Sequence, residues 1–280
     1  MMRASPMSNM TASALLTPAT LLGLALASLS AMPEEGRAQD MMRHLDLASP
    51  AMTQPEMTRA DVERILRAPR EAPPDLAGKR LSGLDLSGLD FRGANLRAAV
   101  LNKTKLAGAN LDRAVLDQAW MLQADLTGAR LRQASLFGTQ AMDARLDGAD
   151  LTGARIAGDF SRASLRKALL RDANLSADMR NQSMGLMRAV MLSADLAEAD
   201  LDGANCSRAS FEFADLTKAD LSGVDFTGAL LGGADLSGAK VDEARFAEAD
   251  VASAKLQRLT GLSTDSGLDK ARNLDRALRD

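Results

Sequence analysis

From Leu76 onward a large apolar residue returns at every fifth position, and neither standard secondary structure can bury that pattern. One register runs from Leu76 through Leu81, Leu86, Phe91 and Leu96 to Ile156, with only Ala141 interrupting the large residues. A second set follows at Phe160, Leu165, Leu170 and Leu175, after a step one residue short. A third begins at Leu186, one residue beyond two full repeats, and runs through Met191, Cys206, Phe226 and Phe246 to Leu256. Together these make 36 repeats. On an α-helix, five-spaced side chains scatter around the axis, because each residue turns the chain by about 100°. On a flat strand they alternate faces. They can share one interior only if the backbone bends once per repeat, and four bends close a coil of 20 residues.

The rest of each repeat fits this bend. Ala stands two positions before most large residues, as at Ala94, Ala109, Ala124, Ala199 and Ala234, where an inward side chain has room only for a methyl. Between them lies an outward polar residue, often Asp or Asn, and Gly recurs at the corners, as at Gly83, Gly88, Gly93, Gly128 and Gly153. Large residues then stack on their counterparts 20 positions away, with Phe226 directly on Phe246, and each coil needs only its neighbours. Cys206 occupies a large-residue position and reads as a buried apolar group.

The pattern Ala124-Asp125-Leu126-Thr127-Gly128, repeated at Ala234-Asp235-Leu236-Ser237-Gly238, resembles that of the pentapeptide-repeat proteins over residues 76–256. The resemblance implies an all-β fold, a right-handed quadrilateral parallel β-helix. Its nine coils at about 4.8 Å would make a rod roughly 40 Å long. Short helical caps are expected at both ends. In residues 39–75, a linker leads to a short capping helix: Thr58 and Asp61 form a start signal, and Met57, Val62, Ile65 and Leu66 share one face. In the tail, residues 257–280, Ser266 would start a helix through Leu268, Ala271, Leu274, Ala277 and Leu278. The stretch from Met179 to Met184 has no register and reads as a bulge, with a projecting functional loop as the alternative.

Residues 1–38 read as a leader. Arg3 precedes an uncharged stretch with an apolar centre, Leu21-Leu22-Gly23-Leu24-Ala25-Leu26-Ala27. Cleavage would follow Gly36-Arg37-Ala38, with Ser28-Leu29-Ser30 as a second candidate. A periplasmic or secreted location follows. The alternatives are a disordered leader and an uncleaved anchor, although the run from Ala14 to Leu29 is shorter than the ~20 apolar residues a span requires. Membrane association is expected only through this leader.

Little in the chain suggests catalysis. There is one His, His44, outside the repeats, and one Cys, so a zinc site or a His-based triad lacks its ligands and no internal disulfide can form. Neither a metal nor a cofactor is expected, and the chain reads as no enzyme. With a net charge of −3 there is no broad basic surface, so nucleic acid is not an expected partner. An unknown protein is. Candidate surface residues are Val100 and Trp120 on one outward face with Val115 beside them, and the carboxylates Asp195, Asp215 and Asp235 stacked on another. Leu169 and Val190 read as a second outward apolar pair. The function expected is a structural or protein-interaction scaffold of the cell envelope. The alternative, implied by some relatives, is a cytoplasmic DNA-mimicking binder of a topoisomerase, against which the leader and the mixing of Arg130, Arg145 and Arg155 with the acids both argue. In some relatives the C-terminal segment makes dimers, so a homodimer is one option here.

Overall fold

A computed structural model describes residues 46–68, 72–179 and 187–280. The leader, the start of the linker with His44, and the irregular stretch 180–186, including Leu186, lie outside the described residues.

Most repeats close with a turn. Phe91 shows the pattern: its carbonyl accepts the N–H of Ala94 at 2.8 Å, and Gly93 between them has a φ of 67°. This is a type II turn, which requires a left-handed residue at its third position. Gly fills many of these corners, but Ala98, Lys103, Gln118, Glu198 and Phe213 adopt the same conformation. None of the non-glycine residues with positive φ is β-branched, in keeping with the crowding such side chains would meet there.

Between turns, a single residue of each repeat bridges in parallel to the residue 20 positions on, as in Asn95 to Val115 and Val100 to Trp120. The N–H of Leu96 donates to the Val115 carbonyl at 2.7 Å, and the N–H of Val115 donates back to Ala94 at 2.9 Å. The ladder satisfies backbone groups that face neither water nor core. Extended strands are few because a turn every five residues leaves little room for one. They are β1 (Ser135–Gln140), parallel to β2 (Arg155–Asp159), and β3 (Lys255–Leu256), parallel to β4 (Leu278–Arg279). The expected all-β stack is therefore a column of bridged turns rather than closed sheets.

The interior holds the two inward sets of the repeat: the large residues from Leu76 to Val251 and the preceding alanines are almost all fully buried. Phe226 stacks on Phe246, with centroids 5.5 Å apart and planes at 20°, and meets Phe211 edge-on at 5.6 Å. Cys206 is buried among them. At Ala141, where a large residue is missing, the preceding small position carries Thr139, whose hydroxyl donates to the Leu116 carbonyl at 2.9 Å. Volume lost at one position is partly restored at its neighbour, and the added hydroxyl is paired.

The register changes in the middle of the stack. Arg145 bridges Ser164, a coil of 19 residues, and Asp159 bridges Val190, a coil of 31. Leu175 is thus followed by Met191 on the next wall, and the repeat expected at Leu186 is not part of the described stack. This corrects one reading. Leu169 bridges Asp150 and Asp200, whereas Val190 bridges Asp159 and Ser210, so the two lie two walls apart and form no pair.

At the N-terminal end, α1 (Pro50–Thr53) and α2 (Arg59–Arg67) lie across the first coil. Thr58 and Asp61 form the expected reciprocal cap. Val62 is fully buried in the common core, with Met57, Ile65 and Leu66 packed against it. The carbonyls of the first coil, which have no coil before them, find donors here: Arg80 accepts from the Glu56 N–H at 2.9 Å and Asp85 from Arg59 Nη1 at 2.7 Å. The open edge of a repeat stack is closed in this way.

At the other end the expected helix is absent. Residues 264–266, 268–270 and 274–276 form three separate 3-10 turns, broken by Gly267 and Asn273 in left-handed conformation, and β4 then pairs with β3. Ser266 receives the Leu268 N–H at 3.4 Å but starts no α-helix. The last coil offers unpaired backbone groups, and the tail pairs with them: Leu278 N–H donates to Ala254 at 2.8 Å and Arg272 N–H to Ala249 at 2.8 Å. Leu268 is buried, and Ala271, Leu274 and Ala277 pack against the core.

Candidate interaction surface

Four outward walls follow one another in each coil, and Val115, Trp120, Asp215 and Leu169 each belong to a different one. The Trp120 wall reads Arg80, Val100, Trp120, Gln140, Asp159, Val190, Ser210, Leu230 and Asp250 from one end to the other. Val100 and Trp120 are direct bridge partners, and Val115, bridged to Asn95 and Ser135, lies on the adjoining wall. The three expected surface residues are thus neighbours, all half-buried.

Sequence reasoning missed most of this surface. The corner following the Trp120 wall carries Leu122, Met142 and Leu192, half-buried, and Phe213, which is 65% exposed. Val190 and Leu230 join the wall itself. The ring of Phe213 lies over the corner at Gly233, where even a Cβ would come within 2.6 Å of it. On the opposite corner, the guanidinium of Arg155 stands 4.3 Å over the Phe137 ring. Continuing from Trp120 in twenty-residue steps would have found these residues, had the long coil been counted as one turn.

The carboxylates Asp195, Asp215 and Asp235 are successive bridge partners, as expected. Each uses one oxygen locally: Ala197, Thr217 and Ser237 donate their N–H groups at 3.0, 2.9 and 3.0 Å. These are corner N–H groups that the ladder leaves over, and an outward Asp or Asn two residues earlier is placed to accept them. This accounts for the Asp/Asn position of the repeat. Cations flank the column, with Arg166 3.0 Å from Asp195 and Lys255 2.8 Å from Asp235. Partial burial opposes ionisation of Asp235, but hydrogen bonds from Lys255 and Ser237 outweigh it and hold the carboxyl below the usual range.

A second device serves corners whose outward residue is neither Asp nor Asn. Arg130, Ser135, Ser164 and Trp120 hold such positions. There the corner N–H groups of Arg132, Phe137, Arg166 and Leu122 donate to Asp112, Asp117, Asp147 and Asn102 of the preceding coil, at 2.9–3.2 Å. Asn102 also donates to the Met52 carbonyl at 3.1 Å, tying the Trp120 wall to α1.

Among the described residues no cluster of three or more His, Cys, Asp or Glu side chains could hold a metal ion, and no helix is long and apolar enough to cross a membrane. The grooves on the surface are open and edged by charged corners, one by Glu63, Arg67 and Arg92, another by Arg92, Arg113 and Arg132. The arrangement offers flat walls of side chains rather than a cleft.

The family model described as pentapeptide repeats (8 copies) matches three times, over residues 80–118, 119–158 and 194–233. Solved structures similar to the chain include HetL, a pentapeptide repeat protein involved in heterocyst differentiation regulation in the cyanobacterium Nostoc sp. strain PCC 7120. It is 28% identical over 80% of this chain and 100% of its own, with a TM-score of 0.40. The plasmid-mediated fluoroquinolone resistance protein QnrB1 is 16% identical over 72% of this chain and 93% of its own, with a TM-score of 0.37. A pentapeptide repeat protein of the Arabidopsis thaliana thylakoid lumen is 29% identical over 51% of this chain and 68% of its own, with a TM-score of 0.21. No curated protein matches the chain. Five-residue turns, bridges at twenty-residue steps and three matches to the family model lead to one conclusion: residues 80–158 and 194–233 are pentapeptide repeats.

Proposed function

We propose that this protein is a non-enzymatic scaffold of the cell envelope that presents the Trp120 wall to a protein partner. Its coils form the right-handed quadrilateral rod implied by the family resemblance. The observation that carries the reading is the continuity of Val100 and Trp120 with Leu122 and Met142, an apolar surface on a rod whose other walls are studded with ion pairs. Contiguous outward apolar groups on a rigid support are the usual sign of a docking surface. The location rests on the apolar leader that precedes the described residues.

A pull-down from envelope extract tests the surface: Trp120→Ala combined with Val100→Ser should abolish capture of the partner, and unchanged capture would remove this wall from consideration. Fractionation of a tagged full-length chain tests the location. Recovery only in the cytoplasm would favour the DNA-mimicking reading, which draws support from the acidic excess of residues 187–256, where 13 Asp or Glu stand against 6 Lys or Arg.

A further inference from the structure

We propose that the partner of the Trp120 wall is a second copy of this chain, lying face to face with the first and antiparallel to it. The proposal rests on the interaction reading above and names its occupant.

Nine residues line the wall, and Asp159 is the fifth, with four coils on either side. A two-fold axis through Asp159, across the rods, sets each coil of one copy against the coil equally far beyond the centre in the other. Such an isologous interface forms only if the surface complements itself under this operation.

The wall does so. Three coils from the centre, Val100 meets Leu230. Two coils out, the bulkiest group of the wall, Trp120, meets small Ser210. The operation keeps each corner on its own side, so Leu122 meets the corner formed by Glu212 and Phe213, and Met142 meets Leu192. Four coils out, Arg80, which Glu56 already pairs at 3.2 Å, meets the carboxylate of Asp250. On the other corner Asp117 meets Arg208. Away from the axis, apolar groups fall on apolar groups at Val100 with Leu230 and Met142 with Leu192, Gln140 meets Val190, and the charges named fall on opposite charges. On the axis Asp159 meets its own copy, with one oxygen of each held by the Ser161 N–H and hydroxyl.

The whole rod shares this polarity. Residues 76–172 carry 15 Lys or Arg and 10 Asp or Glu, a net charge of +5, whereas residues 187–256 carry 6 and 13, a net charge of −7. Antiparallel copies bring the positive half of each against the negative half of the other. Parallel copies would oppose like charges and are disfavoured.

Sedimentation of the purified chain, together with cysteine crosslinking, tests the arrangement. The native Cys206 is buried and does not interfere. The wild type should sediment at twice the single-chain mass, and Leu230→Arg at the single-chain mass with its circular dichroism spectrum unchanged. Under mild oxidation, an equimolar mixture of Val100→Cys and Leu230→Cys variants should give a covalent dimer, while each variant alone should give none. A monomeric wild type overturns the proposal, as does a dimer that crosslinks through Val100→Cys alone (parallel copies) or not at all (contact elsewhere). A monomer that still loses an envelope partner on Trp120→Ala substitution would sink the dimer and leave the interaction reading standing.

Discussion

The carboxylate of Asp112 accepts the backbone N–H of Arg132, in the next coil, at 3.1 Å. Its other oxygen holds the guanidinium of Arg130 at 2.5 Å. Because Arg130 stands where many repeats carry Asp or Asn, its own repeat cannot serve the corner N–H, and the coil below does.

Replacing Asp112 with Ala leaves that N–H without its acceptor and should destabilise the protein by about 1–2 kcal/mol. Asp112→Asn keeps an acceptor oxygen and loses only an ion pair whose Arg130 side chain is largely exposed, so it should cost under about 1 kcal/mol. Urea denaturation of the two variants tests this; equal losses would show that the backbone bond contributes nothing.

Gly158 and Gly148 should respond differently to the same substitution. A Cβ on Gly158 would stand 2.3 Å from the Thr139 carbonyl oxygen, a backbone atom that cannot move alone. At Gly148 the added methyl meets nothing within 4 Å, and only its φ of 63° opposes it. Gly148→Ala should cost about 1 kcal/mol, as many non-glycine corners already show the conformation is tolerated. Gly158→Ala should cost several-fold more, on the order of 3 kcal/mol or above, because it distorts the ladder where one residue is missing. Thermal melts compare them directly.

The phenylalanine stack near the C-terminal end should be cooperative. Phe226 touches both Phe211 and Phe246 inside the filled interior. Phe226→Ala should cost about 3–5 kcal/mol, and a double-mutant cycle with Phe246→Ala should show a coupling of about 0.5–1.5 kcal/mol. Strict additivity would mean the rings merely fill separate spaces.

Acid should weaken the rod. Partial burial raises the carboxyl pKa values of Asp125, Asp220 and Asp225, yet bonds from Thr127, Ser222 and Thr227, aided by nearby Arg and Lys side chains, outweigh it and leave each below the usual range. A depressed folded-state pKa contributes stability above the unfolded value, about 3.9, that is lost as pH falls through the folded value. Melting temperature should therefore vary little in these groups' account from pH 7 to about 5 and drop below about 4. Asp225→Asn should lessen the drop; an identical profile would remove this carboxyl from it.

The inside and outside of each repeat were legible in the sequence, as was the stacking of Phe226 on Phe246, because both follow from a turn every five residues. The reciprocal cap of Thr58 and Asp61 was equally legible, being local. The tail misled. The spacing of Leu268, Ala271, Leu274, Ala277 and Leu278 suits a helix, but helical periodicity says nothing of the unpaired edge left by the last coil. That edge supplies backbone partners that draw the tail into another ladder. The supports from Asp112, Asp117, Asp147 and Asn102 also escaped notice, since each acts on a residue 19 or 20 positions away.

By itself, then, the sequence determined which side chains point inward, since that depends only on position within a five-residue unit and the units at Leu76 and Leu256 obey the same rule. Tertiary structure alone decided which outward residues share a wall across the change of register. That assignment depends on how many residues each coil contains, and one coil of 19 and another of 31 place Val190 beside Asp159 and Ser210 instead of Leu169. Local turns set the direction of a side chain; the accumulated length of the chain between two turns sets its neighbours.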